Sequence, residues 1–107
     1  MVSLPNIKRY CDAIAAAFKP QRIILFGSHA YGQPNEDSDV DVLVVMPKTK
    51  RVRRDTAVQI RLKVDADFPV DVIVRGELEV ERRVRTKDLF MTHIMSHGRV
   101  MYEAVHA

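Results

Sequence analysis

Gly27 and Ser28 are followed, after ten residues, by Asp39-Val40-Asp41, and this carboxylate pair opens the apolar run Val42-Leu43-Val44-Val45. Side chains two apart on a strand share a face, so Asp39 and Asp41 are expected to project together. Carboxylates held side by side repel, and burial makes their charged forms costlier still. A divalent cation relieves both penalties. Magnesium in particular is held by one or two carboxylates plus the phosphates of a substrate, which suits an Asp-x-Asp pair at the mouth of a strand. Upstream, Arg22-Ile23-Ile24-Leu25-Phe26 reads as a strand that ends at Gly27-Ser28. Glycine lets a backbone approach a ligand closely, amides at a helix start attract phosphate, and the Ser28 hydroxyl can donate to a phosphate oxygen. Taken singly, a Gly-Ser pair is also an ordinary turn, and Asp-x-Asp also occurs on solvated strand edges. Together, in this order and each joined to an apolar strand, they point to a metal-dependent nucleotide site.

The elements that must position these residues follow from periodicity and punctuation. Ser3 can cap a helix with Pro5 in its first turn, and Ile7, Tyr10, Cys11, Ile14 and Phe18 recur at helical spacing until Pro20. Ser28 to Tyr31 suits a short helix, and Gly32-Gln33-Pro34-Asn35 a loop returning to the second strand. Glu36, Asp37 and Ser38 read as loop chemistry rather than as part of the site. Lys48 to Asp67 is amphipathic and predicts a second long helix, with Ala57, Val58, Ile60, Leu62 and Val64 on its apolar side. Phe68-Pro69 stops it before the strand Val70-Asp71-Val72-Ile73-Val74. A short helix over Gly76 to Arg83 comes next, then one capped by Thr86 and carrying Phe90, Met91, Ile94 and Met95 before Gly98, and a last strand over Val100 to Glu103.

Gly27-Ser28-x10-Asp39-x-Asp41 resembles the signature of the DNA polymerase beta-like nucleotidyltransferase superfamily. Within it, the chain most resembles the minimal nucleotidyltransferases, the MNT proteins, from Arg22 to about Glu103. The resemblance implies an α/β fold, a small mixed sheet of four or five strands with helices packed mainly on one side. It implies that Gly27 and Ser28 hold a nucleoside triphosphate, most simply ATP. It also implies that Asp39 and Asp41 bind two magnesium ions with a third carboxylate from a neighbouring strand. Asp71 is the residue this chain offers for that place, as metal ligand, proton acceptor or both. An edge strand with a solvated Asp71 is the alternative. MNT proteins are commonly antitoxins beside HEPN toxins, so the resemblance further implies transfer of AMP to a tyrosine of a partner ribonuclease in a hetero-oligomer, silencing it. Two other functions stay open: an antitoxin that acts by binding alone, and a stand-alone nucleotidyltransferase for a small molecule or nucleic acid.

A length of 107 residues predicts a single domain spanning 1–107, with an acceptor that docks from outside. Hydrophobic residues at 47% can build a core and charged ones at 29% can cover it. The longest apolar stretches fall far short of the ~18 residues of a membrane helix and the amino terminus carries no signal-peptide pattern, so a cytoplasmic location without membrane contact is expected. Cys11, the only cysteine, excludes an intramolecular disulfide and a cysteine zinc cluster, and its helical position makes it an inert core residue. Two basic groups, Arg51, Arg53 and Arg54, then Arg82, Arg83, Arg85 and Lys87, read first as solvated helix faces. They contain no interleaved aromatic residues, which argues against direct nucleic-acid binding. His93 and His97 have the spacing of zinc ligands but lack an intervening catalytic Glu, so they read as cations at a helix end. His29 reads as an exposed loop residue, Tyr31 as a packing residue and His106 as part of a fraying tail.

Overall fold

Ser3 starts the first helix as its sequence predicts. Its hydroxyl accepts from Asn6 N at 3.3 Å, and α1 runs Leu4–Phe18 with Pro5 in the first turn. Lys19 closes it in the left-handed region at φ 53, donating its N–H to Ala15 O. The structure, a computed structural model, describes residues 2–105, and the expectation for His106 lies outside the described residues. The remaining elements are β1 (Arg22–Phe26), α2 (Ser28–Tyr31), β2 (Val40–Met46), α3 (Thr56–Lys63), β3 (Val70–Gly76), α4 (Glu77–Arg85), α5 (Leu89–His97) and β4 (Arg99–Glu103).

The four strands form one mixed sheet in the order β3-β2-β1-β4. β1 is antiparallel to β2 and to β4, while β2 and β3 are parallel and joined through α3. A parallel pair needs such a crossover, which is what α3 supplies. The α/β class and the mixed four-stranded sheet are as expected. The helices, expected mainly on one side, instead divide between both faces. Ile7, Cys11 and Ile14 of α1 and Ile60 of α3 pack on Ile23, Leu25, Val42 and Val44. On the other face Val80 of α4 and Met91 and Ile94 of α5 pack on Ile24, Phe26, Leu43 and Val45. Both parities of β2 are therefore buried, the arrangement that a continuous apolar strand requires.

Three helices differ from the sequence reading, α4 only by running to Arg85 instead of Arg83. The helix expected over Lys48 to Asp67 is only α3. Asp55 stands at its N-cap position, and Arg53 N donates to Thr56 Oγ1 at 3.2 Å just ahead of it. Such local side-chain bonds compete with the helical ladder, so 47–55 stays irregular and Arg51, Arg53 and Arg54 lie in that segment. Within α3 only Ile60 is buried, and Val58 and Leu62 face solvent. The cap of α5 is Asp88, accepting from Met91 N at 2.9 Å, and not Thr86, whose hydroxyl instead donates back to Arg82 O.

Cys11 is fully buried against the sheet, and burial, followed by the charge of Asp12, pushes its thiol up to about 12. Thiolate is the reactive form. Native protein at pH 8 is therefore expected to leave a thiol reagent such as dithionitrobenzoate unreacted, and to release one equivalent of chromophore once denatured. Rapid reaction of the folded protein would contradict the buried placement.

Candidate active site

The topology brings three chain segments to one end of the sheet. Because β1 is antiparallel to β2, the end of β1 lies beside the start of β2, and because β3 is parallel to β2, its start lies there too. Phe26 pairs with Asp41, and Asp41 pairs with Asp71, so these residues form a row across three strands. Val40 N donates to Pro69 O at 2.9 Å, which pins the start of β3 against that of β2. Asp41 and Asp71 point to the sheet face covered by α4 and α5, since the side chains of Val40, Val42 and Val72 belong to the opposite core.

Gly27 follows Phe26 directly and is the residue that turns β1 into α2. Its backbone sits at φ 76, ψ −159, and its carbonyl accepts from Ala30 N at 3.0 Å and Tyr31 N at 3.2 Å. A Cβ at this position would run into the Asp41 carboxylate. Glycine is thus what lets the β1–α2 turn close on Asp41, and Ser28, half-buried, begins the helix beside it.

The three sequence-predicted aspartates differ in their surroundings. Asp41 is half-buried, while Asp39, which stands just before β2 and not on the strand as expected, and Asp71 are exposed. β3 is an edge strand, so burial gives no reason for an acid at position 71, and the pairing with Asp41 is what places it at the site. Burial pushes the Asp41 carboxyl up from its ordinary value, the charges of Asp71 and then of Asp39 push it further the same way, and His29 pulls it back. All three carboxylates therefore share one electrostatic neighbourhood. Among the described residues no three His, Cys, Asp or Glu side chains are gathered closely enough to hold a metal ion as they stand. Their donor chemistry nonetheless suits a hard cation: carboxylate oxygens only, with Asp41 under a repulsion that His29 offsets in part and a further positive charge would relieve.

His29, read from sequence as an exposed loop residue, is half-buried, and its Nδ1 lies 3.2 Å from Asp39 O. A carbonyl can only accept, so Nδ1 donates, and the bond ties the helix that begins at Ser28 to the segment that leads into β2. Nothing in the local sequence signals this bond, because its partners are ten residues apart. Tyr31 lies edge-on to His93 with ring centroids 4.8 Å apart, and His93 stacks on His97 at 4.4 Å, so these rings join α2 to α5.

The nucleotidyltransferase domain family matches residues 7–93 of the chain. Over 98 residues the chain is 29% identical to "Putative protein adenylyltransferase MJ0604" of Methanocaldococcus jannaschii, covering 90% of this chain and 94% of that one. It is 34% identical over 73 residues to "Putative protein adenylyltransferase MJ0141" of the same organism, covering 64% of this chain and 74% of the relative. Among solved structures, it resembles the crystal structure of "a putative nucleotidyltransferase from Sulfolobus solfataricus", with TM-score 0.58, 27% identity and coverage of 74% and 71%. A toxin-antitoxin crystal structure with AMP-PNP shares the fold at TM-score 0.56 and 18% identity, covering 91% of this chain and 73% of that one.

Proposed function

The chain belongs to the nucleotidyltransferase domain family, and from that premise we propose that it transfers AMP from ATP to a hydroxyl of a partner protein, a tyrosine of a HEPN-type toxin that is thereby silenced. The observation that carries this reading is the row Phe26, Asp41, Asp71, with the Gly27-Ser28 turn closed against Asp41. Two relatives bearing the name protein adenylyltransferase support a protein acceptor, and a fold shared with a toxin-antitoxin structure holding AMP-PNP supports both the nucleotide and the class of partner.

In this reading Gly27 and Ser28 position the β and γ phosphates, with the Ser28 hydroxyl donating to a phosphate oxygen. Asp39 and Asp41 would hold two magnesium ions, with Asp71 completing the set from β3. Magnesium bound there would lower the pKa of the acceptor hydroxyl and neutralise charge on the triphosphate. The acceptor oxygen forms its bond to the α-phosphorus as the bond to the bridging oxygen breaks, and pyrophosphate leaves. Asp71, exposed at the edge of the site, accepts the proton lost by the hydroxyl.

The test is transfer of label from α-labelled ATP with magnesium, using co-expressed partner proteins as acceptors. Label is expected on a partner tyrosine and absent with the double variant Asp39→Ala, Asp41→Ala. No label with any nucleotide from folded protein, together with neutralisation of the partner by that double variant, would identify an antitoxin that acts by covering its target.

A further inference from the structure

β3 is the outer strand next to β2, and its backbone direction is fixed by the bond from Val40 N to Pro69 O. The N–H and C=O of one strand residue point to the same side and alternate along the chain. Asp71 and Ile73 therefore turn their backbone groups to β2, and Val70, Val72 and Val74 turn theirs outward. Two arginines reach this outer edge: Arg61 Nη2 lies 3.4 Å from Val70 O, and Arg75 Nη1 lies 2.8 Å from Val74 O. Between them the outward N–H and C=O of Val72 are left to pair.

A groove of about 520 Å³ runs along the same edge. Its floor is β3 from Val72 to Arg75, one wall carries Arg53 and Arg54, and the other carries Glu79 and Arg83. Its charge is one-sided. Glu79 is shared by Arg75 at 3.5 Å and Arg83 at 2.8 Å, and Arg83 also holds Asp88 at 3.0 Å, whereas Arg53 has only Asp55 at 3.9 Å with its own side chain 82% exposed. Arginine on an outer strand protects it from indiscriminate pairing. The same charges admit a strand that brings carboxylates.

We propose that this edge docks an extended acidic segment of a partner protein as a fifth strand of the sheet, centred on Val72. Main-chain hydrogen bonds to Val72 supply the pairing, and alternate side chains of the incoming strand place carboxylates on one face, against Arg53 and Arg54. Val72 is 5% exposed as a whole residue and belongs to the core, so the receiving strand is held in place before the segment arrives. The docking goes beyond the transfer reaction and needs neither ATP nor the aspartates.

The probe is a fluorescent peptide of alternating Glu and Val, read by anisotropy without nucleotide or magnesium, so that failure of AMP transfer leaves the result untouched. Saturable binding is expected, weakened at least about tenfold by the double variant Arg53→Glu, Arg54→Glu. N-methylation of the peptide at one parity of positions should abolish binding, and at the other parity should leave it nearly unchanged. A Lys-Val peptide should not bind. Absence of saturable binding, equal binding of the Lys-Val peptide, or indifference to N-methylation at both parities would overturn the proposal, the last by reducing the groove to a surface that adsorbs charge.

Discussion

Alanine in place of Gly27 is expected to destabilise the fold and to remove nearly all transfer activity. The backbone at φ 76, ψ −159 lies in a region that only glycine occupies readily, so any side chain there costs on the order of 1–3 kcal/mol. A second penalty is local. The added methyl collides with the Asp41 carboxylate, so the carboxylate must turn away or the turn must back off from β2. Either movement displaces an oxygen in the group of carboxylates, and a misplacement of about 1 Å can cost on the order of 100-fold in rate. Urea melts and single-turnover label transfer, run on the same preparations, separate the two effects. Ser28→Ala is the natural companion, because it keeps the backbone geometry and removes only a hydroxyl; it should lose activity without the loss in stability. If Gly27→Ala melted earlier yet transferred AMP at the wild-type rate, Gly27 would be a turn residue and the close approach to Asp41 would be incidental to chemistry.

The approach of Gly27 and Ser28 to Asp41 was legible in sequence because the signal was local, a fixed spacing with each half attached to an apolar run of strand character, whereas Asp39, expected on one strand face with Asp41, stands just before β2. The placement of Asp71 was less legible. Its strand could be read, but its position opposite Asp41 depends on parallel pairing across a crossover, and that is decided by packing over the whole sheet. The two-sided cover of the sheet did have a sequence signal, since the uninterrupted run Val42-Leu43-Val44-Val45 leaves neither strand face fit for solvent. For α3 the opposite failure occurred. Val58 and Leu62 completed a helical stripe on paper, yet they lie 51% and 75% exposed, and bonds near Thr56 set where the helix starts. His29 was missed because its partner is the backbone of Asp39, which no side-chain pattern encodes.

Asp41→Asn is expected to abolish transfer while making the protein more stable near neutral pH. Asp41 titrates higher in the folded chain than in the unfolded one, chiefly through burial and then through the charges of Asp71 and Asp39. A group raised in this way contributes its full stability below its unfolded value, and that contribution is lost as pH rises through its folded value. Neutral pH therefore charges Asp41 at the expense of the fold, and asparagine removes the charge while keeping the shape. The gain over wild type should be present at pH 7 and vanish as pH falls below the ordinary carboxylate range. Relief of the neighbours should be graded, with Asp71→Asn stabilising more than Asp39→Asn, because Asp71 exerts the larger push on Asp41. Magnesium should do for wild type what asparagine does for the variant. At ten times its dissociation constant a ligand specific for the folded state adds about 1.4 kcal/mol, so wild type should melt later with magnesium and Asp41→Asn should respond little. Thermal melts from pH 3 to 8, with magnesium and with chelator, carry the whole comparison. An Asp41→Asn protein less stable than wild type at pH 7 would mean that the aspartate is held by favourable contacts rather than by repulsion, and a stability indifferent to magnesium would remove the carboxylates as its binding site.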